Sequence, residues 1–204
     1  MANGHFTILV TRSANEGATI HTHTNQITNP YPPPNNINLM QPKFHSKYLR
    51  EAIRLSMEKM QANEGGPFGA VIVRHGQEHE GGEIIASGWN RVTSTFDPTA
   101  HAEISAIREA CGRLGSVSLA GCSIYTSCEP CPMCLAAIYW ARLDKIYFAA
   151  GRADAAAAGF DDDLFYRELA KPLADRNVPM EQHLRTEAVV AFDAWRTKPD
   201  RIAY

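Results

Sequence analysis

The chain of 204 residues has no apolar run approaching the roughly 20 residues that span a bilayer, and the early patch Phe6 to Val10 is too short for the core of a secretory signal. It lacks an excess of either charge. With 20 Lys plus Arg against 22 Asp plus Glu, the formal charge of -2 gives no general attraction for phosphate backbones. The first residues also lack the Arg-rich, amphipathic character of an organellar leader. Cysteine is sparse and odd in number, at five, which does not suit a disulfide framework. These absences argue against membrane and nucleic-acid partners and make a cytoplasmic protein the expectation. The composition, 45% hydrophobic and 21% charged, is that of an ordinary folded domain with a proper core.

Residues 1–44 differ from the rest: Asn and Thr are frequent, Pro30-Tyr31-Pro32-Pro33-Pro34 is a stiff polyproline-like run, and no hydrophobic period holds. They read as a loosely docked or poorly ordered extension, with His21 and His23 as solvated side chains. From Ser46, Tyr48, Leu49, Ala52, Ile53, Met57 and Met60 recur at helical spacing, and Gly65-Gly66-Pro67 stops the helix. Phe68 to Val73 reads as a buried strand, Arg74 to Glu83 as a polar loop with His75 and His79 at its surface, and Ile84 to Ser87 as the return strand. A helix is expected from about His101, capped by Asp97 or Thr99, with Ile104, Ile107, Cys111 and Leu114 on its buried stripe. Cys122 to Ser127 is the next strand, Cys131 to Arg142 the next helix, and Lys145 to Ala149 another strand. Such alternation predicts a layered α/β domain over 45–204, its sheet covered on both faces. Beyond Gly151 the helical pattern comes in pieces, broken at Gly159, Pro172 and Pro179.

The chemistry is concentrated in His101-Ala102-Glu103 and Pro130-Cys131-Pro132-Met133-Cys134. His-x-Glu followed by Pro-Cys-x-x-Cys supplies one imidazole, two thiolates and a carboxylate that can stay off the metal, the signature of zinc-dependent nucleobase deaminases. Cys131 and Cys134 lie three apart at a helix start, where exposed N–H groups favour thiolate. His101 and Glu103 converge only if they stand at the end of their own helix. Two helix N-termini meeting around one metal is the inference, with His101, Cys131 and Cys134 as ligands and water in the fourth tetrahedral place. Zinc brings the pKa of such a water toward about 7, and Glu103 is the expected proton shuttle. A thioredoxin-type role for Cys-x-x-Cys leaves His-x-Glu without a job. A closed structural site needs a fourth protein ligand, for which Cys128 and Glu129 are the nearby candidates. Cys111, Cys122 and Cys128 read as small core residues.

The segments Gly65 to Val73, Asp97 to Glu103, Thr126 to Cys134 and Ala137-Ile138-Tyr139-Trp140-Ala141-Arg142 closely resemble bacterial guanine deaminases of the cytidine deaminase fold. So do Asp154-Ala155-Ala156, Ala158-Gly159-Phe160-Asp161-Asp162, Ala194-Trp195-Arg196 and the terminal Tyr204. The zinc motif is shared by many deaminases; Ile-Tyr-Trp-Ala-Arg and Gly-Phe-Asp-Asp are the more specific segments. The resemblance covers about 45–204 and implies a three-layer α/β/α fold with a mixed sheet of about five strands. It implies hydrolysis of guanine to xanthine and ammonia with one zinc ion per chain. On it, Asn90 hydrogen-bonds the purine, the Ala102 backbone meets its polar edge, Phe68 stacks on the ring and His101 forms part of the opposite wall. Asp162 accepts from the N1–H and 2-amino side and assists proton transfer, a match of carboxylate to adjacent donors that an apolar wall cannot make. The resemblance further implies a homodimer with exchanged C-terminal segments, in which Trp140 and Tyr204 close the site. The loop Arg74 to Glu83 is longer than usual for the family, and 1–44 have no counterpart.

Guanosine deaminase recognises the same base and differs in tolerating ribose. A tRNA adenosine deaminase shares Ala100 to Glu103 and the Glu-Pro-Cys-x-Met-Cys pattern, but calls for a basic surface that this chain lacks. A zinc-stabilised binding module has no use for Glu103. Deleting Ile202 to Tyr204 is expected to impair turnover of guanine while zinc stays bound; unchanged steady-state kinetics would rule out a closing tail.

Overall fold

A computed structural model describes residues 42–76 and 81–202. Four strands form one mixed sheet among them, in the order β2-β1-β3-β4. They are β1 (Gly69–Arg74), β2 (Glu83–Trp89), β3 (Cys122–Cys128) and β4 (Lys145–Ala150). β1 runs antiparallel to both β2 and β3, and β3 runs parallel to β4. These are the four strands legible in the sequence, beside the five or so that the resemblance implies. The chain leaves β4 for helices and adds no strand among the described residues.

Strand periodicity sorts the core into two layers. Val71, Val73 and Tyr125 face α1 (Ser46–Gln61) and meet its Tyr48 and Leu55. Ala70, Ile72, Cys122 and Ile124 face the other way, onto Ala102, Ala106 and Ala110 of α3 (Ala102–Leu114) and Ile138 of α4 (Pro132–Trp140). The expected three-layer α/β/α architecture is therefore present. Two glycines set its thickness. A Cβ on Gly69 would stand 2.8 Å from Ser56 N of α1, and one on Gly88 would stand 2.6 Å from Ala106 N and against the Ala102 carbonyl of α3. Both helix backbones lie directly on the sheet there, which side chains forbid.

Several local expectations are revised. The buried stripe of α1 is Tyr48, Ala52, Leu55 and Ser56, while Ile53 and Met57 point outward, Ile53 onto the rim of an apolar cavity. α3 is capped by neither Asp97 nor Thr99. Asp97 instead accepts the Thr99 N–H and hydroxyl in a local turn, and His101 occupies the cap position without a side-chain bond. His75 is not a plain surface residue: its Nε2 lies 2.7 Å from the buried Ser123 hydroxyl, and burial lowers its pKa. Residues 42–44, read as extension, lie on the domain, where Tyr147 donates to the Pro42 carbonyl and Phe44 packs 5.6 Å from the Tyr147 ring. His21, His23, His79 and Tyr204 fall outside the described residues.

After α2 (Val92–Thr95) and the central elements, the chain continues as α5 (Arg152–Ala157), α6 (Asp163–Ala170), a 3-10 turn at Leu173–Asp175 and α7 (Arg185–Thr197). No described helix is long and apolar enough to cross a membrane. Gly88→Ala is expected to cost about 2 kcal/mol through overpacking, seen as a melting point lower by about 5 °C. An unshifted melting curve would show that α3 can move off the sheet freely.

Candidate active site

Both halves of the motif stand at helix starts because each helix begins at a ligand. His101 is the cap residue of α3 and Cys131 that of α4, both with extended backbone (ψ 161° and 169°), and Cys134 follows within the first turn of α4. Pro132 at the first helical position favours that start, since its missing N–H would be unpaired there anyway. The strand β3 ends at Cys128 and delivers Glu129-Pro130-Cys131 to the same place.

The Nδ1 atom of His101 lies 3.6 Å from Cys131 Sγ and 3.5 Å from Cys134 Sγ. The three donor atoms all lie within 4.8 Å of one another. Tetrahedral zinc, with bonds of about 2.3 Å to sulphur and 2.0 Å to nitrogen, requires an N···S separation of about 3.5 Å, so the donor set fits that ion. The Cys134 thiol donates toward Cys131 and holds that thiol down at about 4, with His101 adding to the effect, while Cys134 itself is pushed up. The hydrogen bond with Cys131 raises His101.

Neither suggested fourth ligand turns to the trio. Cys128 Sγ lies 3.8 Å from the Gly151 carbonyl, and Glu129 accepts the Arg152 backbone N–H and pairs with its side chain. Among the described residues the cluster has three protein donors, which leaves a tetrahedral ion one open place. All five cysteines are free, and the ring nitrogen facing Cys131 and Cys134 gives the pair a partner that a redox Cys-x-x-Cys does not need.

A cavity of about 430 Å³ opens beside the trio. Phe68, Asn90, His101, Glu103 and Asp162 all line it, from four separate stretches of chain. Glu103 is 7% exposed, and burial raises its carboxyl to about 7, with the charge on Cys131 adding to the rise and His101 opposing it. A cation held next to it acts in the same direction as His101. Asp162 is also raised, chiefly by burial. The orientation of the Asn90 amide is fixed: its Oδ1 accepts the Gly66 N–H at 3.1 Å and the Val92 N–H at 3.2 Å, so its NH₂ is the group left for a ligand acceptor. Ala102 is buried at the first turn of α3, where backbone N–H groups lack helical partners.

Trp140 is not brought to this cavity. It ends α4, 65% exposed, with the Arg142 guanidinium 5.8 Å from its ring centroid. Phe160 is a wall residue with no role assigned from the sequence, and Glu129, weighed there only as a fourth ligand, is another. The Phe160 ring stands edge-on to Phe68 at 4.8 Å, and its place in Gly159-Phe160-Asp161-Asp162 was the available signal.

The chain belongs to the cytidine and deoxycytidylate deaminase family, whose zinc-binding region matches residues 42–150. Within that family it is similar to guanine deaminase of Bacillus subtilis (strain 168), 50% identical over 160 residues that make up 78% of this chain and 99% of the relative. The X-ray structure of the Bacillus subtilis enzyme superposes with a TM-score of 0.74 over 79% of this chain and 99% of that one, at 49% identity. A guanine deaminase from Nitrosomonas europaea matches at a TM-score of 0.53 and 30% identity over 69% of this chain and 79% of that one. A tRNA-specific adenosine deaminase of Aquifex aeolicus (strain VF5) is 42% identical, but over 50% of this chain and 64% of its own.

Purified Cys134→Ala and His101→Ala proteins are expected to lose zinc, measured by atomic absorption, while Cys122→Ala and Cys128→Ala retain it. Full zinc in Cys134→Ala would place the metal elsewhere.

Proposed function

We propose that this protein hydrolyses guanine to xanthine and ammonia in a zinc-dependent reaction. The observation that carries the reading is one cavity in which two carboxylates, Glu103 and Asp162, and the amide of Asn90 stand around the His101-Cys131-Cys134 donor set. The 50% identity to a guanine deaminase over nearly that enzyme's whole length supports the choice of substrate. His101, Cys131 and Cys134 would together hold one zinc ion per chain. Zinc supplies a water acidic enough to react at neutral pH.

The chain's own residues do the rest. Phe68 stacks on the purine and Phe160 backs Phe68 from its edge. The Asn90 NH₂ donates to a ring acceptor, and the Ala102 backbone meets the polar edge. His101 forms part of the opposite wall. Asp162 accepts hydrogen bonds from the guanine donors and assists proton transfer. A C–O bond forms at the carbon that bears the amino group, and the C–N bond there breaks. Glu103 takes one proton from the attacking water and delivers it to the ring nitrogen, then takes the second from the hydroxyl now on that carbon and delivers it to the departing amine, which leaves as ammonia while the C=O forms.

The working assembly in this reading is a homodimer with exchanged C-terminal segments, in which Trp140 and Tyr204 close the site. Among the described residues α7 buries none of its side chains, and Val190 and Phe192 are 62% and 69% exposed, which supports a covering partner. Five free cysteines support a reducing, cytoplasmic setting.

Incubation of the zinc-loaded protein with guanine, guanosine, adenosine-containing tRNA and cytosine, read as ammonia released, separates the candidates; guanine is expected to lead. Glu103→Gln is expected to keep zinc and lose turnover by about 10²- to 10⁴-fold. Preferred release from guanosine or tRNA would overturn the substrate, and a fully active Glu103→Gln the mechanism.

A further inference from the structure

Helix α6 carries Asp162 at its N-terminal cap, yet α6 itself buries no residue, and Leu164, Phe165 and Leu169 on it are 40%, 53% and 58% exposed. A carboxylate that must meet a ligand within a few tenths of an ångström therefore stands on a helix with little core packing. Tyr166 lies one turn on, its backbone N–H donating to the Asp162 carbonyl at 3.3 Å. Its phenol donates to the Pro130 carbonyl at 3.0 Å, in the residue just before the ligand Cys131. The Arg152 guanidinium sits 4.7 Å from the Tyr166 ring centroid and pairs with Glu129, a wall residue of the cavity. Asp162, Tyr166, Pro130 and Cys131 thus form a continuous chain of backbone and side-chain links, braced by Arg152 and Glu129.

We propose that Tyr166 is a positioning residue that sets the register of Asp162 against the metal-ligand loop through its hydrogen bond to the Pro130 carbonyl. This inference rests on the reading of Asp162 as a guanine contact. Tyr166 touches neither the donor trio nor the cavity; it acts by fixing where α6 begins. Without the phenol the ring still stacks on Arg152 and the helix still forms, but Asp162 is free to drift.

The test measures equilibrium binding of guanine to full-length, zinc-loaded protein in a Glu103→Gln background, where turnover does not interfere. Tyr166→Phe is expected to weaken binding about fivefold to tenfold, the effect of one lost hydrogen bond, with zinc content unchanged. Asp162→Asn is expected to weaken it by at least as much, and the two together no more than Asp162→Asn alone, because both act through one group. Effects that multiply, an unchanged affinity in Tyr166→Phe, or loss of zinc from that variant would each overturn the positioning role. An unchanged affinity in Asp162→Asn would instead remove the assigned guanine contact, and this inference with it.

Discussion

Two thiols and an imidazole confined within 4.8 Å of one another are an arrangement that an apolar interior does not favour by itself. A soft divalent cation satisfies all three at once. The rest of the domain can be understood as the frame that holds those donors there. Both cap residues are ligands, so any change in where α3 or α4 begins moves a ligand. The sheet fixes those starts: Gly88 lets α3 lie directly on β2, and β3 leads straight into the Cys131 loop.

The same constraint explains the state of Glu103. It stands two residues from a ligand on the first turn of α3, buried, where its carboxyl rises to about 7 from desolvation. A group in that range can accept and return a proton near neutrality, whereas an exposed glutamate would remain ionised. Burial raises the carboxyl and a neighbouring cation would lower it, and a group balanced between the two suits the proton transfer proposed for it.

The sequence made the donor trio and Glu103 legible because their spacing is itself the chemistry: Cys-x-x-Cys shares one helix face, and His-x-Glu can converge only at a helix end. The four strands were legible from short apolar runs between glycines and polar loops. The features that were missed depend on contacts between distant segments. Ile53 and Met57 are four apart just as Tyr48 and Ala52 are, and the close approach at Gly69 decides which of the two faces of α1 meets the sheet. Asp97 has the right offset to cap α3, but Thr99 offers it two nearer donors. Tyr166 has no local signal of its own, since its importance lies in meeting Pro130, and Phe160 was marked only by its place in Gly159-Phe160-Asp161-Asp162, with nothing local to show that it meets Phe68.

The metal donors and Glu103 share one stretch of the chain, whereas the residues proposed to meet the base are divided between that stretch and the segment after β4. The family's zinc-binding region ends at Ala150, so all three metal donors and Glu103 lie inside it, together with Phe68 and Asn90. Asp162 and Phe160 lie beyond it, as do α6 and α7. The stretch shared with a tRNA-specific adenosine deaminase covers half of this chain, whereas similarity to a guanine deaminase runs over 160 residues. A hydrolytic centre that requires burial is best built where sheet and helices overlap, and that part is packed without slack. A wall that selects the substrate has to be exchangeable without disturbing the metal, and a helix joined to the core by an aromatic edge contact and a phenol hydrogen bond meets that requirement. On the proposed reading of Asp162, the loose packing of α6 suits a part in recognition, and the segment after β4 completes the choice of base beside a centre held by the sheet and its helices.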